Sequence, residues 1–467
     1  MKRKLIGLIV LALIVGVAAA YPAYVGHRIE QSMRAAEATA RAAGGGALVP
    51  AVEAFRQGWL GSTATTRLEG PDGKPLMRLH HRIEHIVYPD LALARVVSVP
   101  EFDLEPKAKA ELEALLAREP AFTVTSLVDW DGTVSSEILS PAFAKPAPGQ
   151  PDSQLDWGGV RGTAVLLPDQ TIAVDLNLPK AAVKSALGSA EIAGVRIKAK
   201  WNLAGAAAKD WSASFELAVG GVHVSSPMLG YAMSGLEMAA RQIDKGNAVA
   251  VAFTVRAASG TPGDVASKDW SFSDFVIDLQ LDGLTKAPLA KYAAESARLG
   301  GKSGSDPAQA MLPLGLELGH SLLGGSPSIA LKTAGVTTPQ GRVAVSFAVK
   351  FDGAGLKGPE PAAALARRVQ AKAKAQVPAA MVAAAMQGPM RAAAEAQLTA
   401  KGQAVIDENI RRAVAEIAQQ QVEQLAQAGM IVRQGADLLF EGELAGGRVT
   451  VNGKVDPTLT QMLSGAL

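Results

Sequence analysis

The stretch GTAVLLPDQTIAVDLNLP (residues 162–179) shows the pattern that decides the fold: two alternating apolar and polar runs joined by a turn at Pro168-Asp169-Gln170. Alternation with a period of two predicts β-strands that each bury one face, and a turn between two such runs predicts an antiparallel hairpin. The same rhythm returns in residues 194–205, 210–224, 247–260 and 269–284. Strands at this even spacing are joined directly, so we predict an extended antiparallel sheet or meander.

Helical patterns interrupt the strands and dominate one later region. Residues 106–118 and 286–299 predict short helices. From residue 361 to 428 the chain is rich in Ala, Gln and basic residues. Apolar residues recur there at helical spacing, at Ile406, Ile410, Val414, Ile417, Val422 and Leu425. The sequence therefore predicts an α+β fold, with a sheet or meander body, short helices and a C-terminal Ala-rich helical segment.

The N-terminus has the pattern of a membrane anchor. Lys2, Arg3 and Lys4 precede an uncharged apolar run that continues to about Tyr24. As a helix, residues 5–24 would rise about 30 Å, which is close to the hydrocarbon thickness of a bilayer. The cationic start predicts a cytoplasmic N-terminus and an exported body. A signal peptide cleaved after Ala20 is the alternative.

Changes in composition predict the order of segments along the chain. Residues 141–154 hold four prolines and show no periodicity, which favours a linker or long loop. The predicted segments are a cytoplasmic tip (1–4), a transmembrane anchor or signal peptide (5–24), an N-terminal α/β part (25–140), the linker (141–154), an antiparallel β-rich region (155–358), a helical region (359–429) and a C-terminal hairpin (430–467).

Composition excludes several classes of function. Lys plus Arg number 46 against 44 Asp plus Glu, a formal charge of +2, so we expect no nucleic-acid partner. The absence of cysteine excludes disulfides, thiolate metal sites and a cysteine nucleophile. Gly300-Gly301-Lys302-Ser303 lacks the opening glycine of a P-loop, because position 296 is Ser296. We expect no cofactor.

Several segments together resemble the YdgA-like family of bacterial membrane-anchored envelope proteins of unknown function. They are YVGHRIE (24–30), FRQGWLGSTATTRLE (55–69), the pair His81 and His85, TTPQG (337–341) and GGRVTVNGK (446–454). Ile86 departs from the family pattern, which has a glycine there. The resemblance implies a single-pass protein of the bacterial inner membrane, with a cytoplasmic N-terminus and a periplasmic body. It implies no particular reaction.

The histidines of LHHRIEH (residues 79–85) are the candidate site. On a strand, His81 and His85 would share a face about 13–14 Å apart, too far to bind one metal ion together. The H-E-x-x-H zinc motif is absent, because Glu84 precedes the second histidine instead of following the first. A structural role is favoured, and a ligand, metal or acid–base role of His81 and His85 is the alternative.

No motif assigns catalytic residues. The sequence therefore favours a non-catalytic binding or scaffold protein of the cell envelope, with lipid or envelope proteins as candidate partners. Lipid would bind an apolar face of the sheet. The alternative is a periplasmic hydrolase or metal-dependent enzyme that uses the region of His81 and His85. The Ala-rich helices could also pair between copies of the chain, so a homo-oligomer is a further expectation.

Overall fold

The computed structural model describes residues 21–22, 24–35, 37–38, 49–70, 74–85, 92–117, 119–147, 150–203, 209–227, 230–262, 271–300, 315, 317–356, 362–400 and 407–466. The strands in these ranges belong to one large sheet of 22 strands, and the pairings between them are antiparallel. The protein is β-rich. The predicted α+β class is therefore wrong, although the predicted antiparallel pairing of consecutive strands is confirmed.

The chain divides into two compact units. The first comprises Met1–Met228, Arg241–Asp244 and Ala290–Leu312, and the second comprises Leu229–Ala240, Lys245–Leu289 and Pro313–Leu467. The strands up to residue 225 are β1 (Val49–Gln57), β2 (Gly61–Glu69), β3 (Pro75–His85), β4 (Ala94–Phe102), β5 (Thr123–Val128), β6 (Val134–Leu139), β7 (Phe143–Ala147), β8 (Gln150–Trp157), β9 (Arg161–Leu166), β10 (Thr171–Ser185), β11 (Gly188–Asn202) and β12 (Ala213–Ser225).

The later strands continue the same pattern. They are β13 (Gly230–Lys245), β14 (Ala248–Pro262), β15 (Phe272–Thr285), β16 (Ser328–Thr338), β17 (Gly341–Phe351), β18 (Val369–Pro378), β19 (Val432–Gln434), β20 (Asp437–Ala445), β21 (Arg448–Val451) and β22 (Lys454–Val455). In the second unit, pairing runs from β14 through β15, β16, β17 and β18 to β20 and β21.

In the first unit, strands pair in the order of the sequence with one exception, at β7 and β8. It runs from β1 through β6 in order, passes from β6 to β9, and continues through β10 and β11 to β12. The turn predicted at Pro168-Asp169-Gln170 joins β9 to β10, and Leu166 pairs with Ile172 beside it. The candidate histidine segment, residues 79–85, lies on β3, and β3 pairs with β2 and β4.

The predicted linker contains a hairpin. Within residues 141–154, β7 pairs with β8, and the later part of β8 pairs with β10. Pro146 lies on β7, which has β8 as its one partner among the described pairings. Proline is tolerated on an edge strand, where half of the backbone N–H groups face away from the sheet and need no partner strand.

Helices occupy a smaller part of the chain. They are α1 (residues 24–35), α2 (Pro106–Leu115), α3 (Lys286–Gly300), α4 (residues 317–323), α5 (Ala362–Arg367), α6 (Ala379–Ala400), α7 (Asp407–Gln427) and α8 (Pro457–Ala466). Helix α7 packs against α6. Its buried face is formed by Ile410, Val414, Ala418 and Val422.

The region predicted as helical, residues 359–429, contains strand β18. Its sequence VQAKAKAQVP has a high intrinsic helix propensity, because Ala, Lys and Gln are good helix formers. The residues alternate with a period of two, however, and β18 is paired on both sides, by β17 and β20. Lys372 and Lys374 contact Glu443 and Glu441 across this pairing. Tertiary pairing therefore overrides the helix propensity.

The predicted membrane anchor is corrected by the structure. Among the described residues, no helix is both long enough and apolar enough to cross a membrane. Residues 5–20 of the predicted anchor lie outside the described residues. The described helix at this end, α1, buries Val25 and Ile29 against the protein and carries Arg28, Glu30 and Arg34. The single-pass inner-membrane location is therefore not supported.

Candidate functional site

Helix α1 covers a patch of the sheet formed by β2, β3 and β4. The register places Ser62 opposite Ile83, and Ala64 opposite His81. On the other side of β3, Val96 lies opposite Ile83, and Ser98 opposite His81. The patch is tightly closed: Val25 of α1 and Ala94 of β4 are 0% exposed and Ile83 is 1% exposed. The residues of β2, β3 and β4 on this face are called the covered patch; they are Ser62, Ala64, Thr66, His81, Ile83, His85, Ala94, Val96 and Ser98.

His85 lies at the end of β3 and is buried in this patch. Its Nδ1 is 3.2 Å from the carbonyl oxygen of Trp59, and its Nε2 is 3.0 Å from Oγ of Ser62. A carbonyl can only accept, so Nδ1 donates to Trp59, and in the neutral ring Nε2 then accepts a hydrogen bond from the hydroxyl of Ser62. The backbone N–H of His85 donates to the carbonyl of Leu60, 3.0 Å away.

His81 lies four residues earlier on the same face. Its Nδ1 is 2.7 Å from Oγ of Ser98, and its Nε2 is 3.0 Å from Oγ1 of Thr66. Burial, and secondarily the neighbouring His80, lowers the pKa of His81 to about 4. The imidazole is therefore neutral near pH 7, with one ring nitrogen donating to a hydroxyl and the other accepting from one.

The hydrogen bonds of Ser62 and His85 resemble those of an activated serine, because the hydroxyl donates to one ring nitrogen while the other ring nitrogen is held by a third group. A base within hydrogen-bond reach of the hydroxyl, itself oriented by a third group, is the arrangement that nucleophilic catalysis requires. Ser62 is 4% exposed and His85 is 6% exposed, so a substrate has no access to the serine in this conformation. The geometry therefore supports a structural role: the hydroxyls satisfy polar groups buried beneath α1.

A metal role of the two histidines is an untested prediction. The structure places both on β3, four residues apart, where the strand rise puts them about 13–14 Å apart. Within the described ranges, no cluster of three His, Cys, Asp or Glu residues could hold a metal ion. Each ring nitrogen of His81 and His85 already has a partner in the protein.

Sequence reasoning identified the histidines and missed their partners. Ser62 and Thr66 lie on one face of β2, and Ser98 lies on the facing strand β4. The sequence did contain a signal for Ser62 and Thr66. Each lies two positions from the buried Ala64, so on a strand all three side chains point to the same face. The registers of β2 and β4 against β3, which bring these side chains together, cannot be read from the sequence of β3.

The second unit carries an extensive apolar face. Three rows of paired residues cross six strands, from β14 through β15, β16, β17 and β18 to β20. The first row is Val251, Leu281, Ile329, Val349, Ala371 and Leu444; the second is Phe253, Leu279, Leu331, Phe347, Ala373 and Gly442; the third is Val255, Ile277, Ala334, Val345, Ala375 and Phe440. We call these three rows the open face.

The open face is not sealed by the described helices. In this part of the chain, the helices that pack on strands of the second unit are α5 and α6, which contact β18, and α8, which contacts β21. Ile329 and Val345, near the middle of the rows, are 41% and 38% exposed. The reverse of the same strands is polar, with Lys372 and Lys374 paired to acidic residues of β20. The sheet is therefore amphipathic, and its apolar side contacts solvent.

The first unit has a similar but smaller apolar surface on β10, β11 and β12. Leu176, Ile197 and Leu217 form one row across these strands. Trp201 of β11 and Phe215 of β12 lie on the same face and are 38% and 41% exposed. The opposite face bears Asp175 and Arg196, whose carboxylate and guanidinium are 2.7 Å apart.

Fold and site together define a β-rich protein whose antiparallel strands expose an apolar face, with its buried histidines satisfied by hydroxyl groups. The chain belongs to the family described as "Bacterial protein of unknown function (DUF945)", which it matches over residues 1–457. This confirms the expected membership of a bacterial family of unknown function; the finer YdgA-like name is not confirmed. No curated protein matches the chain, and no solved structure matches it.

Proposed function

We propose that the protein is a non-catalytic lipid-binding protein and that the open face of the second unit receives the acyl chains. The observation that supports this is the set of three apolar rows, which continue without a charged residue across six paired strands. Soluble monomers rarely expose contiguous apolar patches larger than a few hundred Å² without a binding function.

The dimensions of the open face suit an acyl chain. Neighbouring strands lie about 4.8 Å apart, so six strands span about 24 Å across the sheet. One leaflet contributes about half of the ~30 Å hydrocarbon thickness of a bilayer, or about 15 Å. An acyl chain therefore fits on the open face when it lies across the strands. Each buried methylene contributes about 0.8 kcal/mol to binding.

The chemistry of the open face favours apolar ligands over polar ones. Its side chains are aliphatic or aromatic, and they offer no hydrogen-bond donor or acceptor. Specificity for a headgroup would have to come from residues at the margins. We therefore expect binding that tolerates different headgroups but requires a long acyl chain.

The test is mass spectrometry of an organic extract from the full-length protein purified without detergent, followed by titration with a fluorescent long-chain fatty acid. We expect a stoichiometric lipid in the extract and saturable binding of the probe. An empty extract from a folded sample, together with no binding of the probe, would overturn the proposal.

Two neighbouring residues of β17 provide a matched pair of variants. Val345 lies on the open face, whereas Ser346 lies on the polar reverse, near Lys374. Val345→Asp places a charge among the apolar rows and is expected to weaken probe binding at least about tenfold, because a charge is costly to bury. Ser346→Asp is expected to leave binding unchanged. Circular dichroism of both variants establishes that they are folded.

A further inference from the structure

Exposed aromatic and apolar side chains gather at one edge of the first unit. Tyr24 is 53% exposed, Trp59 61%, Leu60 55% and Trp130 46%. Tyr24 lies at the start of α1, Trp59 and Leu60 in the turn between β1 and β2, and Trp130 in the turn between β5 and β6. We call these four residues the edge cluster.

The strand registers place all parts of the edge cluster at the same end of the strands. Ser62, Ile83, Val96 and Ser126 lie opposite one another in a row across β2, β3, β4 and β5. The β1–β2 turn lies just before Ser62, and the β5–β6 turn follows Ser126 by a few residues. Both turns therefore project from one edge, although they are far apart in sequence.

Helix α1 begins at this same edge. The rings of Tyr21 and Trp130 are 5.6 Å apart, and Tyr21 also packs on the buried core beneath α1. The turn that carries Trp59 and Leu60 is narrow: a Cβ on Gly58 would lie 2.4 Å from the carbonyl oxygen of Gly61. This close approach requires glycine at position 58, and the two residues that follow it are directed toward solvent.

The composition of the edge cluster is typical of a surface that contacts lipid headgroups. Trp and Tyr have an apolar ring and a polar tip, and they concentrate at the membrane–water interface for this reason. Among the described residues near this edge, charged side chains of both signs are present, and Glu84 contacts both Arg82 and Arg95. The others are Arg28, Arg56, Asp129 and Asp131. Anionic lipids attract surfaces with an excess of basic residues, whereas this described surface mixes the two signs.

We propose that the edge cluster is the surface by which this protein rests on a bilayer of zwitterionic lipids. Trp59 and Leu60 enter the headgroup region, with Tyr24 and Trp130 beside them. The row through Ser126 continues through Ser136, Ala164, Val174 and Ala199. Trp201, at the apolar surface of β10, β11 and β12, lies two residues beyond Ala199 toward the same end of the strands. Contact between the edge cluster and the bilayer does not require the open face to bind lipid. Only the transfer of a lipid between that bilayer and the open face rests on the proposed function.

The experiment uses the full-length protein and phosphatidylcholine vesicles, with and without bromine on the acyl chains. The disrupting variant combines Trp59→Ser and Leu60→Ser. The control is Leu187→Ser, because Leu187 is 80% exposed in the turn between β10 and β11, at the opposite edge. We expect the double variant to bind vesicles at least about tenfold more weakly and the control to bind as the wild type does.

Fluorescence quenching locates the contact within the bound protein. Brominated chains are expected to quench the wild-type tryptophan emission, and Trp59→Phe is expected to remove part of the quenched component. Trp157→Phe is the control, because Trp157 pairs with Ala181, toward the other end of β10, and its indole N–H donates to Ser140. Unchanged quenching in Trp59→Phe would overturn the proposal.

Two further results of the vesicle experiment would overturn the proposal. Equal loss of vesicle binding in Leu187→Ser would show that the protein adheres without a preferred edge. A steep rise in vesicle binding on adding anionic lipid would show that a basic surface elsewhere makes the contact.

The lipid content of organic extracts separates this proposal from the proposed lipid binding of the open face. An unchanged extract from the double variant leaves lipid binding intact even if the edge contact fails, and vesicle binding that depends on the edge stands even if the extract is empty.

Discussion

The covered patch of the first unit and the open face of the second are built from strands with the same alternating pattern, yet they reach different states. In the covered patch, α1 reduces the exposure of Ile83 to 1%. On the open face, Ile329 has a paired strand on each side, as Ile83 does, and is 41% exposed. Strand pairing alone therefore shields an apolar side chain incompletely, and a second layer is needed to bury it.

The two regions also differ in their polar content. The covered patch contains two histidines and three hydroxyl residues, all hydrogen-bonded to one another or to the backbone. The open face contains none. Buried polar groups need fixed partners and thus favour a single arrangement, whereas an apolar face without polar groups can accept ligands in several positions. The difference fits a structural role for the covered patch and the proposed binding role for the open face.

The largest expected effect comes from the same substitution made in both regions. Ile83→Ala is expected to lower the free energy of unfolding by about 2–5 kcal/mol, because it leaves a cavity beneath α1. Ile329→Ala is expected to lower it by less than about 1 kcal/mol, because that side chain is already partly hydrated. Urea denaturation measures both values, and equal losses would show that the open face is covered in solution.

Acid should destabilise the covered patch through His81. Its folded-state pKa of about 4 lies below the ordinary 6.5, so between these values the unfolded chain binds a proton that the folded chain does not. Stability is therefore fully present above about pH 6.5 and decreases as the pH falls toward 4. The loss amounts to at most about 3 kcal/mol.

The matched variants for this acid effect are His81→Gln and His80→Gln. Glutamine at position 81 can still donate to one hydroxyl and accept from the other, but it does not titrate. The stability of His81→Gln should therefore depend less on pH between 6.5 and 4 than that of the wild type. His80 is exposed and contacts Glu101, and its removal relieves only the smaller of the two causes that lower the pKa of His81, so His80→Gln should keep most of the pH dependence. Identical pH profiles for the wild type and His81→Gln would contradict the burial of His81.

Ser62→Ala tests whether the serine beside His85 is structural or catalytic. The change leaves Nε2 of His85 buried without its hydroxyl donor, which is expected to lower the free energy of unfolding by about 1–3 kcal/mol. A fluorophosphonate probe is expected to leave Ser62 unlabelled in the folded wild type. Stoichiometric labelling that disappears in Ser62→Ala would instead show that the patch opens and contains a reactive serine.

The sequence predicted strands better than it predicted how they assemble. Alternation located β9, β10, β11, β12, β14 and β15, because the period of two records which side chains share a face of the sheet. It could not show which parts of the face acquire a helix, since α1 is distant in sequence from most of the strands beside it. The helix propensity of β18 concealed a strand, and the prolines near residue 146 concealed a hairpin, because in both cases the decisive interactions are with other strands.

The candidate site depends in the same way on residues from neighbouring strands. His81 and His85 were found because histidine is rare in this chain, with six in 467 residues. Their chemistry depends on Ser62, Thr66 and Ser98, which neighbouring strands supply through registers that no local pattern specifies. Exposure of the open face was equally inaccessible to sequence reasoning, because alternation predicts an apolar side and not whether that side is covered.

The smallest expected effect concerns the polar reverse of the open face. Lys374 and Glu441 approach within 2.6 Å, but their side chains are 66% and 58% exposed. Water and salt screen such a pair, so Lys374→Ala is expected to lower the free energy of unfolding by less than about 1 kcal/mol. A double-mutant cycle with Glu441→Ala, measured at low and high salt, isolates the pair. A salt-independent coupling above about 2 kcal/mol would mean that the reverse is shielded from water. The polar side would then be the covered one, which would reverse the assignment of the binding face.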